Sequence, residues 1–380
     1  MHVGLLTRSD IGYTLDLAND LHRTGASVIV YMCREHTIGE VGVTSQPVER
    51  LYDLGLIPAA IGVRLIHFPR RRNPRSLAVV RDLGRMFRAD GLDVAHVLAS
   101  PDDPWLAILP SLAPGVAVTS TMIVPEPDIG TRVPMSAGFV FNWLLAHGSD
   151  AIIVNGANQV QFVCKRYRIP PSRVCHVPLS ARKTALSWRQ DAVAEEPGTV
   201  LFFGAARPHK GLEYLVRAQP EISRQVPGAR FLISSHGEEL ARCREMIRDQ
   251  SRFEIIDGFV AGREMASTFQ RASLVALPYL SASTSGVLMT AYAFGKPVVA
   301  TRVGCLPEYV QDGETGFLVA PADEGELAKA IAHLLTDDVL RSQMRHNIAR
   351  WLELRQAGIA KQTLETYEKA LAHRRGKHGL

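Results

Sequence analysis

The chain has 380 residues, of which 46% are hydrophobic and 21% charged, and this balance excludes a disordered or fibrous protein. Its length predicts two domains, and its net charge of +5 suits an anionic ligand or an acidic surface without requiring nucleic acid. The five cysteines are scattered and form no CxxC pair, which argues against a disulfide framework or a zinc site.

The first half alternates short apolar strands with segments of helical periodicity. This alternation predicts a parallel, doubly wound sheet with helices on its faces. The predicted strands are Val3–Leu6, Ser27–Met32, Arg64–Phe68, Val94–Leu98, Val116–Ser120 and Ala151–Val154. The predicted helices are Thr14–Arg23, Pro74–Ala89, Trp105–Leu112 and Ala137–Gly148.

Targeting and membrane signals are weak in this half. A strand is predicted almost at once and is followed by Arg8 and Asp10, so we expect no signal peptide. The longest apolar candidate, Ala137–Ala146, is interrupted by Asn142 and is too short to span a bilayer. We therefore expect a cytoplasmic protein.

The composition changes at Ala181–Gly198, a polar stretch without periodicity that we interpret as an interdomain linker. The second half then repeats the alternation of strands and helices. Its predicted strands are Thr199–Phe203, Arg230–Ser234, Phe253–Ile256, Leu274–Pro278 and Pro297–Ala300. Its predicted helices are Leu212–Gln225, Gly237–Asp249, Arg263–Arg271, Val287–Phe294, Glu324–Thr336 and a tail over Asp338–His373.

Two Rossmann-like domains facing a central cleft are therefore the predicted architecture. We place the first domain at residues 1–182, with a C-terminal helix of about residues 356–380 crossing back to it, and the second at residues 198–355. Neither half carries a GxGxxG motif after its first strand, so a nicotinamide dehydrogenase is weakly supported. Ligands of such sheets bind at the carboxyl ends of the strands, so the loops there are the candidate sites.

The loop after Thr199–Phe203 has the composition of a diphosphate cradle. Gly204 and Gly211 border it, and Arg207 and Lys210 supply two cations, one a bidentate fork and one a point charge. A solvated loop whose cations bind nothing is the alternative.

The segment Ser281–Glu308 predicts a second phosphate-binding element. Small hydroxyl residues and Gly286 precede the apolar run Val287–Ala293, and such residues cap a helix N-terminus. Free N–H groups and the helix dipole make that end suitable for phosphate. An ordinary strand–helix unit with a serine cap is the alternative.

These motifs resemble a known family. VLFFGAARPHKGLEYLVRA, SGVLMTAYAFGKPVVATRVGCLPEYV, the hairpin DGETGFLV and the tail AKQTLETYEKAL are similar to family-4 glycosyltransferases of the GT-B fold. The resemblance is specific in the carboxyl half and loose before about residue 90. It implies transfer of a sugar from a nucleotide sugar, UDP- or GDP-linked, to an acceptor hydroxyl, with retention of configuration and without a metal or other cofactor.

The resemblance also assigns roles to residues of this chain. Lys210 falls on the family's diphosphate-binding lysine, and Arg207 is expected to share that charge. The remaining donor-binding positions that we expect are Gly12, Gly204, Val260, Ser285, Gly286, Val287, Thr290 and Glu308.

The chain departs from the family at several positions. The usual arginine is replaced by Ala205, and the paired glutamates would fall on Ala282 and Thr290. A subgroup loop of the form THDPxPHPG maps onto TMIVPEPDIG, so the sugar-contacting histidine is absent. Glu126 and Asp128 on that loop are the polar candidates to orient an acceptor hydroxyl or accept its proton. A carboxylate exposed to water is the alternative for each.

Three other features have structural explanations. We expect His96 to be a packed, hydrogen-bonded histidine, and Asp102 or Asp103 to cap the helix that follows. The arginines between Arg70 and Arg88 form a basic surface that would suit a lipid-linked acceptor at the inner face of a membrane, with a solvated face as the alternative. No aromatic residues are interleaved with them, which argues against nucleic acid.

The leading hypothesis is thus a glycosyltransferase acting on a carbohydrate, lipid-linked or small-molecule acceptor in glycan or natural-product biosynthesis. The rival is a catalytically silent protein of the same fold that serves as the partner subunit of another enzyme, because four expected site residues are missing. The sequence leaves the sugar, the base, the acceptor and the oligomeric state open.

Overall fold

The structure is a computed structural model that describes residues 1–42, 45–70, 73–99, 103–125 and 135–378. The described chain divides into two compact units. The first contains the described residues up to 180 together with 356–378, and the second contains residues 181–355.

The first unit is built on a seven-stranded sheet whose neighbouring strands are all parallel. The strand order is β3-β2-β1-β4-β5-β6-β7. The strands are β1 His2–Thr7, β2 Ser27–Cys33, β3 Gly62–Ile66, β4 Val94–Ala99, β5 Ala117–Met122, β6 Ala151–Val154 and β7 Val174–His176.

Seven helices accompany this sheet within the described residues. Apolar side chains of several of them pack with the sheet into a core that includes Tyr31, Phe87 and Leu109. The helices are α1 Ile11–Arg23, α2 Arg34–Val41, α3 Pro47–Asp53, α4 Ser76–Ala89, α5 Pro104–Leu112, α6 Met135–Gly148 and α7 Ala157–Tyr167.

The second unit contains a six-stranded parallel sheet of order β10-β9-β8-β11-β12-β13. The strands are β8 Thr199–Phe203, β9 Arg230–Ser235, β10 Phe253–Asp257, β11 Leu274–Leu277, β12 Val298–Thr301 and β13 Gly316–Val319. The helices are α8 Leu212–Gln225, α9 Glu238–Met246, α10 Gly262–Arg271, α11 Gly286–Ala293, α12 Leu306–Tyr309 and α13 Glu324–Thr336. The final helix, α14 Asp338–His378, lies in the second unit up to Arg355 and in the first unit beyond it.

Most predicted elements are present with small shifts at their ends. Strands β6 and β8 and helices α8 and α13 have the predicted boundaries. Helix α1 begins at Ile11, earlier than the predicted start, so Gly12 lies in its first turn and not in a loop. The elements missing from the prediction are helices α2, α3, α7 and α12 and strands β7 and β13. All except α7 are short or lack a clear apolar period, and α7 was missed although its apolar residues follow helical spacing.

The segment predicted as a linker is a packed part of the second unit. It contains a 3₁₀ helix, Lys183–Trp188, in which Ala185 and Trp188 are buried. Farther along, Glu195 forms ion pairs with Lys296 at 2.8 Å and with Arg345 at 2.5 Å. These contacts fasten residues 181–198 to the body of that unit.

The five cysteines are free, as the sequence analysis predicts. No helix in the described ranges combines the length and apolar character needed to cross a membrane.

His96 on β4 belongs to a buried hydrogen-bonded group in the first unit. Its Nδ1 lies 2.7 Å from the Tyr367 hydroxyl, and its Nε2 lies 2.6 Å from Oγ1 of Thr121. A neutral imidazole donates from one nitrogen and accepts at the other, and a hydroxyl can match either role. Burial lowers the pKa of His96 to about 3. The prediction of a packed histidine is confirmed.

This histidine makes the stability of the first unit pH-dependent. The pKa of His96 in the folded chain lies below the ordinary value of 6.5. As the pH falls through 6.5, the imidazole therefore becomes protonated in the unfolded chain but stays neutral in the folded chain. When the pH is lowered from 7 to 5, this difference should reduce the unfolding free energy by about 2 kcal/mol. Urea titrations at both pH values should show that the wild type loses about 2 kcal/mol more unfolding free energy than His96→Gln does. An identical loss in the two proteins would contradict this assignment.

Candidate functional site

The strand order of the second sheet locates its binding edge. From β8 the chain proceeds to β9 and β10 on one side, and then returns to β11, β12 and β13 on the other. The direction therefore reverses between the neighbours β8 and β11, and such a switch point opens a crevice at the carboxyl ends of its strands. The loops that follow β8 and β11 are the two that carry the predicted phosphate-binding residues.

Hydrogen bonds to the backbone of Gly204 fix the loop after β8. Gly204 adopts φ +102° and donates its N–H to the Ser234 carbonyl at 3.0 Å, while Ser235 Oγ donates to the Gly204 carbonyl at 2.6 Å. A Cβ built on Gly204 would lie 3.6 Å from Cγ2 of Val287 in α11. The loop after β8 is therefore adjacent to the start of α11.

Gly211 closes this loop against the loop after β11. It has φ +64°, and a Cβ there would run into the Pro278 carbonyl oxygen. The Leu280 N–H donates to the His209 carbonyl at 2.8 Å across the same contact. Only glycine fits both the backbone conformation and this close approach.

Tyr279 joins the cationic loop to the start of helix α11. Its side chain is fully buried, and the ammonium of Lys210 lies 3.8 Å from the centre of its ring. Its hydroxyl lies 3.3 Å from Oγ of Ser285, and its carbonyl accepts from Oγ1 of Thr301 at 2.6 Å. Lys210 and Ser285, which belong to the two predicted phosphate-binding elements, thus contact the same aromatic residue.

Ser285 is the N-cap of α11, as predicted. Its Oγ accepts from the Leu288 N–H at 3.2 Å. The N–H groups of the first turn of a helix have no acceptor within that helix, so Gly286 and Val287 present donors at its positive end. An oxyanion placed here would meet these donors.

Other predicted donor residues lie along the same sheet edge. Thr290 is buried, and its Oγ1 donates to the Gly286 carbonyl at 2.9 Å, so the hydroxyl is turned back along α11. Val260 is buried in the loop after β10, next to the strongly exposed Phe259. Glu308 is half-buried in α12, and the loop before that helix is brought against Ala282 by Gly304, which has φ +53°.

The remaining predicted residues are not joined to this group. Arg207 is exposed, and its guanidinium forms no ion pair within the described part of the chain. Gly12 belongs to the first unit. Glu126 and Asp128, the proposed acceptor-side carboxylates, lie outside the described residues, as does Asp102.

The first sheet has its own switch point, between β1 and β4. Arg8, which follows β1, forms a buried ion pair with Asp103 at 2.8 Å and lies over the Phe68 ring. Asp103 also accepts from the Leu106 N–H at 3.4 Å, so the predicted helix cap is confirmed. The sequence analysis did not anticipate the ion pair, because it joins residues that are far apart in the chain.

The arrangement in the second unit can bind and stabilise negative charge. It offers an ammonium, a capped helix N-terminus and glycines that allow close approach, all at a crevice-forming sheet edge. Among the described residues, no group of three His, Cys, Asp or Glu side chains is placed to hold a metal ion. Tyr279 was missed from the sequence because a buried aromatic in a loop is typical of a core position.

Comparison with known proteins supports this interpretation for the second unit. Residues 197–337 match the family model of group 1 glycosyl transferases. The D-inositol 3-phosphate glycosyltransferase of Corynebacterium aurimucosum is 28% identical over 218 residues, which are 53% of this chain and 52% of that protein. The chain thus spans about half the length of the curated relatives it matches.

Two solved structures are similar over nearly the whole chain. Sucrose-phosphate synthase from Thermosynechococcus elongatus has a TM-score of 0.71 at 18% identity, covering 98% of this chain and 99% of that one. HepE of Anabaena, solved in complex with UDP-glucose, has a TM-score of 0.69 at 16% identity, covering 96% and 99%. The predicted GT-B fold, with two Rossmann-like domains, is confirmed.

The close approach at Gly211 can be tested by substitution. Gly211→Ala should lower the unfolding free energy by at least about 2 kcal/mol, because alanine disfavours this φ and its Cβ meets the Pro278 carbonyl. Gly228→Ala is the control, since a Cβ at that exposed glycine meets nothing within 4 Å. Denaturant titration should show a clear loss for the first variant and less than about 0.5 kcal/mol for the second. Equal midpoints would refute the contact.

Proposed function

We propose that this protein is a glycosyltransferase that moves a sugar from a nucleoside diphosphate sugar to an acceptor hydroxyl. The observation that carries the proposal is the convergence of Lys210 and Ser285 on Tyr279 at the switch point of the second sheet. The match of residues 197–337 to group 1 glycosyl transferases supports the same activity.

The chemistry requires stabilisation of a leaving diphosphate. The bond from the anomeric carbon to the diphosphate oxygen breaks, and negative charge grows on that oxygen while the acceptor oxygen bonds to the same carbon. Lys210 and the N-terminus of α11 would neutralise this charge, and preorganised groups of this kind lower a barrier most effectively. Arg207 would add charge once a ligand orders it. We propose retention of configuration and no requirement for a metal ion.

The donor would lie along the carboxyl edge of the second sheet. Gly204, Ser285, Gly286 and Val287 would approach the diphosphate, with Val260 beside the base. Thr290 and Glu308 would lie toward the ribose and the sugar. HepE of Anabaena binds UDP-glucose, and this favours a UDP-linked donor while leaving a GDP-linked one open.

The acceptor would be a carbohydrate, a lipid-linked intermediate or a small molecule that offers a hydroxyl group. The inositol phosphate in the name of the corynebacterial relative makes a phosphorylated polyol a reasonable first substrate to assay. Gly12, at the start of α1, and the carboxylates Glu126 and Asp128 remain the proposed contributors from the first half of the chain. A carboxylate there would accept the proton of the attacking hydroxyl.

Loss of the Lys210 ammonium should reduce turnover strongly. Lys210→Ala should lower the rate of donor hydrolysis or transfer by about 10²–10³-fold, the usual cost of one charge-stabilising donor. Lys329→Ala, at an exposed position on α13, is the matched control and should retain wild-type rates. The assay is run with EDTA, under which the wild type should stay active. Normal turnover of Lys210→Ala would reject the assignment.

Calorimetry with UDP, GDP, ADP and dTDP measures whether the protein binds a nucleoside diphosphate. We expect one of these diphosphates to bind the wild type and to bind Lys210→Ala more weakly. A folded protein that binds none of them would point instead to the catalytically silent partner subunit.

We further propose that the protein works in the cytoplasm and that helix α4 contacts acidic lipid at the inner face of the membrane. Arg81, Arg85 and Arg88 are exposed along it, Arg75 is exposed immediately before it, and Leu77 in its first turn is 46% exposed. Basic and apolar side chains on one exposed helix surface suit an anionic interface. Arg70 precedes this helix and is exposed, while Arg71 and Arg72 lie outside the described residues.

Vesicle sedimentation tests this contact. Binding to vesicles rich in phosphatidylglycerol should exceed binding to phosphatidylcholine alone. The double variant Arg75→Gln/Arg81→Gln should weaken it roughly thirtyfold, at about 1 kcal/mol for each arginine near the surface. The control Arg224→Gln/Arg230→Gln removes the same charge from exposed positions of the second unit. No preference for anionic vesicles, or equal losses in both double variants, would exclude the α4 surface.

A further inference from the structure

Arg182 lies directly against the N-terminus of helix α11. A Cβ built on Gly286, the first residue of that helix, would be 2.7 Å from a terminal nitrogen of the Arg182 guanidinium and 3.1 Å from its Cζ and Nε. Gly286 therefore leaves the space that the guanidinium occupies. The contact joins residues more than a hundred positions apart in the chain, so no local sequence pattern reveals it.

The position of Arg182 is set by packing within the second unit. The residue comes immediately before the 3₁₀ helix Lys183–Trp188, which lies against both α10 and α11. Ala185 and Trp188 of that helix are buried, while Arg182 itself is half-buried. The packed 3₁₀ helix therefore holds the Arg182 guanidinium next to α11.

Arg182 adds positive charge to this end of the helix. The N-terminus of a helix carries partial positive charge, and the neighbouring guanidinium carries a full one. A second cation, Lys210, lies over the ring of Tyr279, whose hydroxyl is 3.3 Å from the Oγ of the Ser285 cap. An anion of more than one charge would bind favourably to all three, and partial burial would strengthen each interaction.

We propose that Arg182 is a further diphosphate-binding residue at the N-terminus of α11. This inference rests on the proposed function. It also explains how the chain manages without the arginine that the family resemblance places at Ala205, since Arg182 brings a bidentate guanidinium to the same helix end from a different segment.

The test compares charge loss at two neighbouring positions. Arg182→Gln and Lys183→Gln each remove one positive charge, and Lys183 is exposed. Calorimetry is run with UDP, UMP and uridine, or with the guanosine series if GDP binds better than UDP. The affinity for UDP should fall about ten- to a hundredfold in Arg182→Gln and should stay unchanged in Lys183→Gln. UMP should lose less and uridine nothing, because the lost contact is to phosphate. A merely structural role would weaken all three ligands alike.

Gly286→Ala provides a second variant that keeps the helix intact, since alanine favours a helical position more than glycine does. Its Cβ would displace the guanidinium, so UDP affinity should fall in the wild-type background and fall much less in the Arg182→Gln background. Such non-additivity marks two residues that act through one contact.

The possible failures are distinguishable. A wild type that binds no nucleoside diphosphate overturns the proposed function and this inference together. A wild type that binds UDP, with Arg182→Gln binding it as tightly as Lys183→Gln does, overturns the role of Arg182 alone. Equal effects of Gly286→Ala in both backgrounds also overturn it.

Discussion

The contact between the Lys210 ammonium and the ring of Tyr279 is the interaction on which the proposed site depends. A free lysine side chain loses about 1.5–2 kcal/mol of rotamer entropy when it is fixed. A cation over a buried aromatic face recovers about the same amount when it is partly desolvated. Tyr279 can therefore hold the ammonium in place before any ligand arrives, and through its hydroxyl it fixes the same geometry relative to Ser285.

The backbone around this contact leaves little freedom. Gly211 and Gly304 each occupy the left-handed region, and each places its Cα where a side chain would strike a carbonyl of the neighbouring loop. Such close approach locks the loops after β8, β11 and β12 to one another. The charges at the sheet edge are thus positioned by steric constraints on the chain, and the sheet topology decides which loops meet.

The sequence was sufficient for the fold class and for much of the proposed site, for identifiable reasons. Strand β8 and helix α8 were predicted to the residue because a short apolar run is followed by glycine and then by an amphipathic period. Lys210 and Ser285 were found because they follow strands whose carboxyl ends lie together in any doubly wound sheet. Helix α7 was missed although Val160, Val163, Cys164 and Tyr167 follow helical spacing, and strand β7 was missed because three residues are too few to show a pattern.

Tyr279 and Arg182 show where sequence reasoning stops. A buried tyrosine in a loop is indistinguishable from core, and an arginine in a polar, aperiodic stretch is indistinguishable from linker. Their placement depends on contacts between loops, which no periodicity encodes. The segment 181–198 was interpreted as a connection for this reason, although its 3₁₀ helix packs as part of the second unit.

The most direct test of the central claim is a crystal structure of the protein with UDP bound. The account predicts that the diphosphate lies at the N-terminus of α11, with a phosphate oxygen within hydrogen-bonding distance of the Lys210 Nζ and of the Gly286 or Val287 N–H. A nucleotide bound elsewhere on the protein, with Lys210 still directed at an empty Tyr279 face, would contradict it.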